Sequence, residues 1–274
     1  MSNNITLNFI EGLSYVDFVG IINQWNVLPG SFVTLNEWVQ FGQITQKSHL
    51  LDIACTTGFS LREVSYLSGC SGIGVDISKY SVESAQYNKD FYTPSLPIKY
   101  IHGNSLEQNF DEKFSHILLG ASLGFFTDPQ AMIAKCIGFF DEHGILLVSP
   151  FYGSGLGTPS TESLDFFKRT IGIQPTLRSY KEVMSLYRDF EIIYENRKKP
   201  IIESADELKK YCADTANSFC TRNLVNDQQV YNLIYNRLLA IREACNLMRP
   251  YQDYSTLILR YRKKTYPNRF VELF

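Results

Sequence analysis

The sequence has no stretch of about 20 uninterrupted apolar residues, which excludes a membrane-spanning helix of ordinary length. Its opening, MSNNITLNFIEG, lacks both the basic flank and the apolar core of a secretory signal, so a cytoplasmic chain is expected. There is no Cys-x-x-Cys pair. Cys55, Cys70, Cys136, Cys212, Cys220 and Cys245 are scattered, which argues against a zinc knuckle or dithiol redox site and for reduced, mostly buried thiols. Histidine is scarce too: His49, His102, His116 and His143 stand apart from one another, and no metal is expected. Neither sign of charge dominates, with 26 Lys and Arg against 28 Asp and Glu and a net charge of −2. The electrostatic footprint of a nucleic-acid binder is therefore missing.

What remains is a chain of 274 residues, 45% hydrophobic, enough for one large α/β domain with an elaboration. Two stretches with helical apolar spacing, GLSYVDFVGIINQW and FVTLNEWVQFGQI, flank the turn signal Leu28-Pro29-Gly30-Ser31 and predict leading helices. Short apolar runs then alternate with helical patterns. HLLDIAC, SGIGVDIS, LPIKYIHG, FSHILLG and GILLVSP read as five strands, with helices over residues 79–91 and 128–140 among those between them. Such alternation predicts a parallel sheet covered on both faces.

Beyond Pro150, FYGSGLGTPS reads as a flexible loop, followed by a mixed stretch and a helix near residues 179–187. FEIIYENRKK and STLILRYRKK read as sixth and seventh strands. Between them Ser204 and Glu207 have capping-box spacing, and a second helix starts near Asn226-Asp227, giving an inserted helical hairpin. The expected fold is thus a Rossmann-like, mostly parallel seven-stranded sheet with helices on both faces. Its expected parts are an N-terminal helical cap (residues 1–46), an α/β core (47–200 and 251–274) and a helical insertion acting as a lid (201–250).

In a doubly wound sheet the ligand meets the first strand-to-helix turn, here LLDIACTTGFS. Gly58 permits close backbone approach, the amides opening the next helix suit a carboxylate, and Asp52 suits an ammonium group, directly or through water. Asp76 ends the second strand, 24 residues after Asp52, at the spacing of a carboxylate that accepts from ribose hydroxyls. Asn104, beyond the third strand, offers an amide oxygen to an adenine amino group. An adenosine carrying an amino acid satisfies all of these, and S-adenosylmethionine is such a molecule.

These segments, in this order, resemble the class I S-adenosylmethionine-dependent methyltransferase superfamily, in the style of its small-molecule enzymes. LLDIACTTGFS is similar to the glycine-rich first motif, GVDIS to the acidic second-strand motif and HGNSLE to the adenine segment. FSHILLGASLGFFTDP and CIGFFDEHGILLVSP are similar to the fourth- and fifth-strand regions. The resemblance implies cofactor contacts from Asp52, Ala54, Cys55, Thr56, Gly58, Asp76, Ile77, Asn104, Ser105, Leu106 and Gly120. Ala54 and Thr56 stand where most members have glycine, Asn104 replaces an acidic residue, and Ser115 stands where many members have another.

No catalytic base is assigned: His116 lies inside the fourth strand, His143 precedes the fifth, His102 ends the third, and the Asn/Asp-Pro-Pro-aromatic signature is absent after FSHILLG. Tyr15, Phe125, Phe151, Tyr152, Tyr211 and Arg222 are expected to line the substrate pocket, under a lid that encloses the methyl group. The expected activity is methyl transfer to a nitrogen or oxygen of a small molecule. The alternative is a noncatalytic S-adenosylmethionine-binding or partner-binding protein. A nicotinamide-dependent oxidoreductase would want a second glycine in CTTG. The expected partner is the small-molecule substrate, with a homodimer left open.

Overall fold

The structure, a computed structural model, describes residues 5–25 and 28–263. Lys264, the last residue of the expected seventh strand, and the rest of the core segment to residue 274 lie outside the described residues.

Each apolar run forms the strand expected of it: β1 (His49–Ile53), β2 (Ser71–Asp76), β3 (Ile98–His102), β4 (His116–Gly120) and β5 (His143–Val148). They lie in the order β3-β2-β1-β4-β5 and pair in parallel. Two further strands were anticipated, β7 (Glu191–Lys198) and β8 (Gln252–Arg262). β8 runs antiparallel to β5 on one side and to β7 on the other. An eighth strand was not anticipated. In the segment read as a loop, β6 (Phe151–Gly153) pairs its three residues with Tyr254, Asp253 and Gln252.

The two faces of the sheet follow from the period of two along each strand. Leu51, Ile53, Ile117, Leu119, Leu146 and Val148 face α6 (Pro129–Phe139) and α8 (Tyr180–Met184), which contribute Met132, Ile133, Cys136 and Val183. Their neighbours Leu50, Leu118, Leu147 and Ile258 face Leu35 and Trp38 of α3 (Ser31–Phe41), and Phe59, Leu61 and Val64 of α4 (Phe59–Ser68). Asp128 caps α6 by accepting from the amide of Ala131, with Pro129 in its first turn. α5 (Lys79–Tyr92) lies against β2 and β3.

A separate apolar cluster contains no strand residue. It joins α1 (Leu7–Glu11), α2 (Tyr15–Ile21), α7 (Thr161–Ile171), α9 (Ala205–Asn223) and α10 (Gln228–Met248) through Ile10, Phe18, Phe167, Phe219 and Ile234. The N-terminal helices and the inserted hairpin thus share one core. Two arginines clip them together: Arg237 of α10 donates to the carbonyls of Ile10 (2.6 Å) and Leu13 (2.5 Å), and Arg222 of α9 donates to Ile21 (2.8 Å). α3, in contrast, packs on the sheet, and α7 comes from the stretch read as mixed. Ser160 caps α7, and Phe167 and Ile171 recur four apart on its buried side.

Candidate functional site

The cap meets the core along α2 and α5. Gly20 lies so close to α5 that a Cβ there would stand 2.5 Å from the amide nitrogen of Ser81, and its carbonyl accepts from Ser84 Oγ at 2.8 Å. The chain then passes the first strand-to-helix turn, where Thr57 Oγ1 donates to the carbonyl of Gln24 at 3.0 Å. It reaches the end of β4, where Leu28 adjoins Gly120. The N-terminal segment thus lies over the carboxyl ends of β1, β2 and β4, at the switch point where a doubly wound sheet offers its ligand crevice.

The turn after β1 is left-handed at three alternate positions: Ala54 (φ 56°), Thr56 (φ 48°) and Gly58 (φ 77°). Only the last is glycine, and each of the others costs about 1–2 kcal/mol for an L side chain. The backbone shape survives without the glycines because its surroundings hold it. The Cys55 amide donates to the Val75 carbonyl (3.1 Å), the Gly58 amide to the Cys55 carbonyl (2.8 Å), and the Thr56 amide to Asp76 Oδ2 (2.9 Å). Gly58 has a second reason to lack a side chain. A Cβ there would sit 2.5 Å from the hydroxyl of Tyr100, which donates to the Gly58 carbonyl at 2.9 Å. The space that Gly58 leaves beside it is occupied by the protein itself. α4 then starts after Gly58, which has no side chain to cap it, and the Leu61 amide in its first turn bonds to Asp52 instead.

Two buried carboxylates define the electrostatics. Asp52, near the end of β1, is 5% exposed, and its Oδ2 has no hydrogen-bond partner. Burial, and the charge of Asp76 after it, push Asp52 up to about 8, against the pull of the Leu61 amide. Asp76, at the end of β2, accepts from the amides of Thr56 on Oδ2 and Ser78 (2.8 Å) on Oδ1. Burial raises it above the usual carboxylate range, and Asp17 of α2 pushes the same way. Burial, with both aspartates adding to it, raises the Cys55 thiol well above its ordinary value, so it is a neutral thiol.

Around them, Ile77 is exposed beside Asp76, and its carbonyl contacts His102 Nε2 at 3.0 Å. Asn104 uses its amide oxygen on the Leu106 amide (3.1 Å) and its amide nitrogen on Glu107 (2.9 Å), so it shapes the turn and offers only a second lone pair. Ser105 is buried, Leu106 packs at the fringe of the α6 side of the sheet, and Gly120 takes a left-handed φ of 52°.

Of the six residues expected at the substrate, two meet: Tyr15 of α2 stacks on Phe125, in the 3₁₀ turn Ser122–Phe125 after β4. Three are engaged elsewhere. The Tyr152 hydroxyl is tied to Ser255 Oγ (3.2 Å) and the Tyr254 carbonyl (3.4 Å), because β6 turns that side chain into the sheet. Arg222 is the clip on Ile21, its guanidinium 5.4 Å above Tyr87. Tyr211 lies under Arg242, 4.9 Å from its guanidinium, inside the hairpin. Phe151 is half-buried, edge-on to Tyr254. Sequence reasoning missed Asp17, Ser78 and Tyr100. The spacing Ser14-x-x-Asp17 at a helix start was the available signal for the first of these.

Residues 51–148 match the family model of a methyltransferase domain. No curated protein matches the chain. Among solved structures, the crystal structure of MccD protein is 28% identical over 86% of this chain and 100% of its own, with a TM-score of 0.68. Two S-adenosylmethionine-dependent methyltransferases crystallised with S-adenosyl-L-homocysteine share the fold. That from Thiobacillus denitrificans is 17% identical over 89% of this chain and 98% of its own, with a TM-score of 0.67. That from Geobacter sulfurreducens is 13% identical over 90% and 98%, with a TM-score of 0.69. With this strand order the chain has the Rossmann-like fold of these S-adenosylmethionine-dependent methyltransferases, and its residues 51–148 are similar to a methyltransferase domain.

Proposed function

We propose that the crevice binds S-adenosylmethionine and that the protein transfers its methyl group to a nitrogen or oxygen of a small-molecule metabolite in the cytoplasm. The observation that carries this reading is the pair of buried carboxylates, Asp52 with an orphaned Oδ2 and Asp76. A pair of buried acids with a free acceptor fits a ligand bearing an ammonium and a sulfonium, whose charge favours their ionised forms, and disfavours the pyrophosphate of a dinucleotide. In this reading Asp76 accepts from the ribose hydroxyls, and Asp52 faces the ammonium, directly or through water. The first amides of α4 take the carboxylate, while Ile77, Asn104, Ser105 and Leu106 border the adenine.

The bound cofactor supplies a methyl group activated by positive sulfur. The chain's own residues have to align the acceptor and keep water out. Tyr15 and Phe125 suit that task, since they join the cap to the end of β4 and offer aromatic faces to a cation. The near balance of 26 basic and 28 acidic residues favours a small acceptor over a polyanion. Ala54 and Thr56 favour the second reading, a noncatalytic binder, because side chains stand at left-handed positions where the glycine-rich motif that the turn resembles has glycine.

Calorimetric titration with S-adenosylhomocysteine and with NAD, followed by incubation of the protein with methyl-labelled S-adenosylmethionine and a metabolite extract, tests the reading. Binding of the first ligand and labelled small molecules are expected. Binding of NAD alone would overturn it, and binding without transfer would favour the noncatalytic reading.

A further inference from the structure

α2 begins where three parts of the molecule converge. Ser14 caps it: Ser14 Oγ accepts from the Asp17 amide (3.1 Å) and donates to Asp17 Oδ2 (2.8 Å). The other oxygen of Asp17 leaves the helix altogether. Oδ1 accepts from Ser78 Oγ at 2.7 Å, across 61 residues of sequence. Ser78 is itself the cap of α5, its hydroxyl taking the Ser81 amide at 3.3 Å, and its own amide donates to Asp76 Oδ1. From the hairpin side, Arg237 grips the carbonyl of Leu13, just before this turn.

Asp76 is 4% exposed, and each of its oxygens already takes one backbone amide. One lone pair on each remains for a ligand, and its aim depends on how firmly the two amides are held. The Thr56 amide belongs to the tightly bonded first turn. The Ser78 amide lies in the short link between β2 and α5, and the Ser78 side chain is fastened by Asp17.

We infer that Asp17 is a positioning residue for the ribose: through Ser78 it holds Asp76 in the orientation that receives the ribose hydroxyls, so that the N-terminal cap takes part in nucleoside recognition. This rests on the reading of the crevice as an S-adenosylmethionine site. A mere helix clip would not need to put a second carboxylate near Asp76, where it opposes ionisation. In a cleft that receives a cationic ligand that repulsion is relieved.

The test pairs variants with two ligands, S-adenosylhomocysteine and its 2′-deoxyribose analogue, measured by calorimetry. The wild-type protein should prefer the first by about tenfold, the worth of one hydrogen bond to a charged group. Asp17→Ala and Ser78→Ala should each weaken S-adenosylhomocysteine and shrink that preference towards unity, because the misaimed carboxylate no longer reads the hydroxyl. Asp17→Asn, which keeps an oxygen acceptor for Ser78, should restore the preference. Arg222→Lys, which loosens the cap elsewhere, should lower thermal stability and leave the preference intact. Wild-type preference in a folded Asp17→Ala or Ser78→Ala protein would overturn the inference. If Asp17→Ala does not fold, Ser78→Ala decides. A wild-type protein that binds neither ligand removes the cofactor reading and this inference with it. Binding of both ligands alike leaves the cofactor reading standing and overturns the inference alone.

Discussion

The ring of Tyr15 lies 5.8 Å from that of Phe125 and 9° from parallel, so an aromatic pair joins the first turn of the cap helix to the segment that follows β4. Because the cap and hairpin share a core, this contact ties that whole helical body to the sheet across the crevice. A double-mutant cycle with Tyr15→Ala and Phe125→Ala, read by urea denaturation, should give a coupling of about 0.5–1.5 kcal/mol. Hydrogen exchange in α1 and α2 should accelerate in both single variants. Additive effects would show that the stack does not hold the cap.

Asp52 makes a prediction about protons. Its folded value of about 8 exceeds its unfolded value of 3.8, so the folded state binds this proton more tightly. The group's contribution to stability is therefore complete below about pH 4 and is lost as pH rises through 8. The ligand-free protein should lose more stability between pH 5 and pH 8 than Asp52→Asn, a difference that removes the contributions of other groups such as His116. An arriving ammonium favours the carboxylate. Binding of S-adenosylhomocysteine at pH 7 should then release close to one proton, measured by calorimetry in buffers of different ionisation enthalpy. No buffer dependence would mean that Asp52 does not change its protonation.

Asp76→Ala should weaken S-adenosylhomocysteine by about 1.5–3 kcal/mol, as for hydrogen bonds to a charged group. Circular dichroism checks that the variant remains folded. Unchanged affinity would mean that Asp76 serves only the amides of Thr56 and Ser78.

Gly58→Ala should destabilise the fold by about 2–4 kcal/mol, from the left-handed backbone and from overlap with Tyr100 and the Cβ of Ala85. Replacing the ring, in Gly58→Ala/Tyr100→Val, should recover the steric part, so the double variant should lose less than the sum of the single losses. Strict additivity in urea denaturation would place the cost in the backbone alone.

The strands and their order along the chain were legible because a buried parallel strand declares itself locally: HLLDI and GILLV are apolar whichever neighbour they take. Helix starts were legible at Asp128, Ser204 and Asp227 for a similar reason, since a cap is made within three residues. The aspartates of the crevice were legible as well, because a strand end places its last side chains at the carboxyl edge. α1 and β6 were too short to show a period, and α7 lay in a stretch where turn residues masked its four-residue spacing.

The sequence by itself thus determined seven of the eight strands, the position of the first turn and the acids Asp52 and Asp76, all of which depend on neighbours a few residues away or on the period of one element. Tertiary structure decided which side chain each of the others would meet. Arg237 reaches carbonyls more than 220 residues away, Tyr152 turns into the sheet, Tyr100 fills the space beside Gly58, and Asp17 finds Ser78. The left-handed Ala54 and Thr56 belong here too, because surrounding hydrogen bonds impose a backbone that their own side chains disfavour. A polar or aromatic side chain has many chemically equivalent partners, and only the packing of distant elements selects one of them.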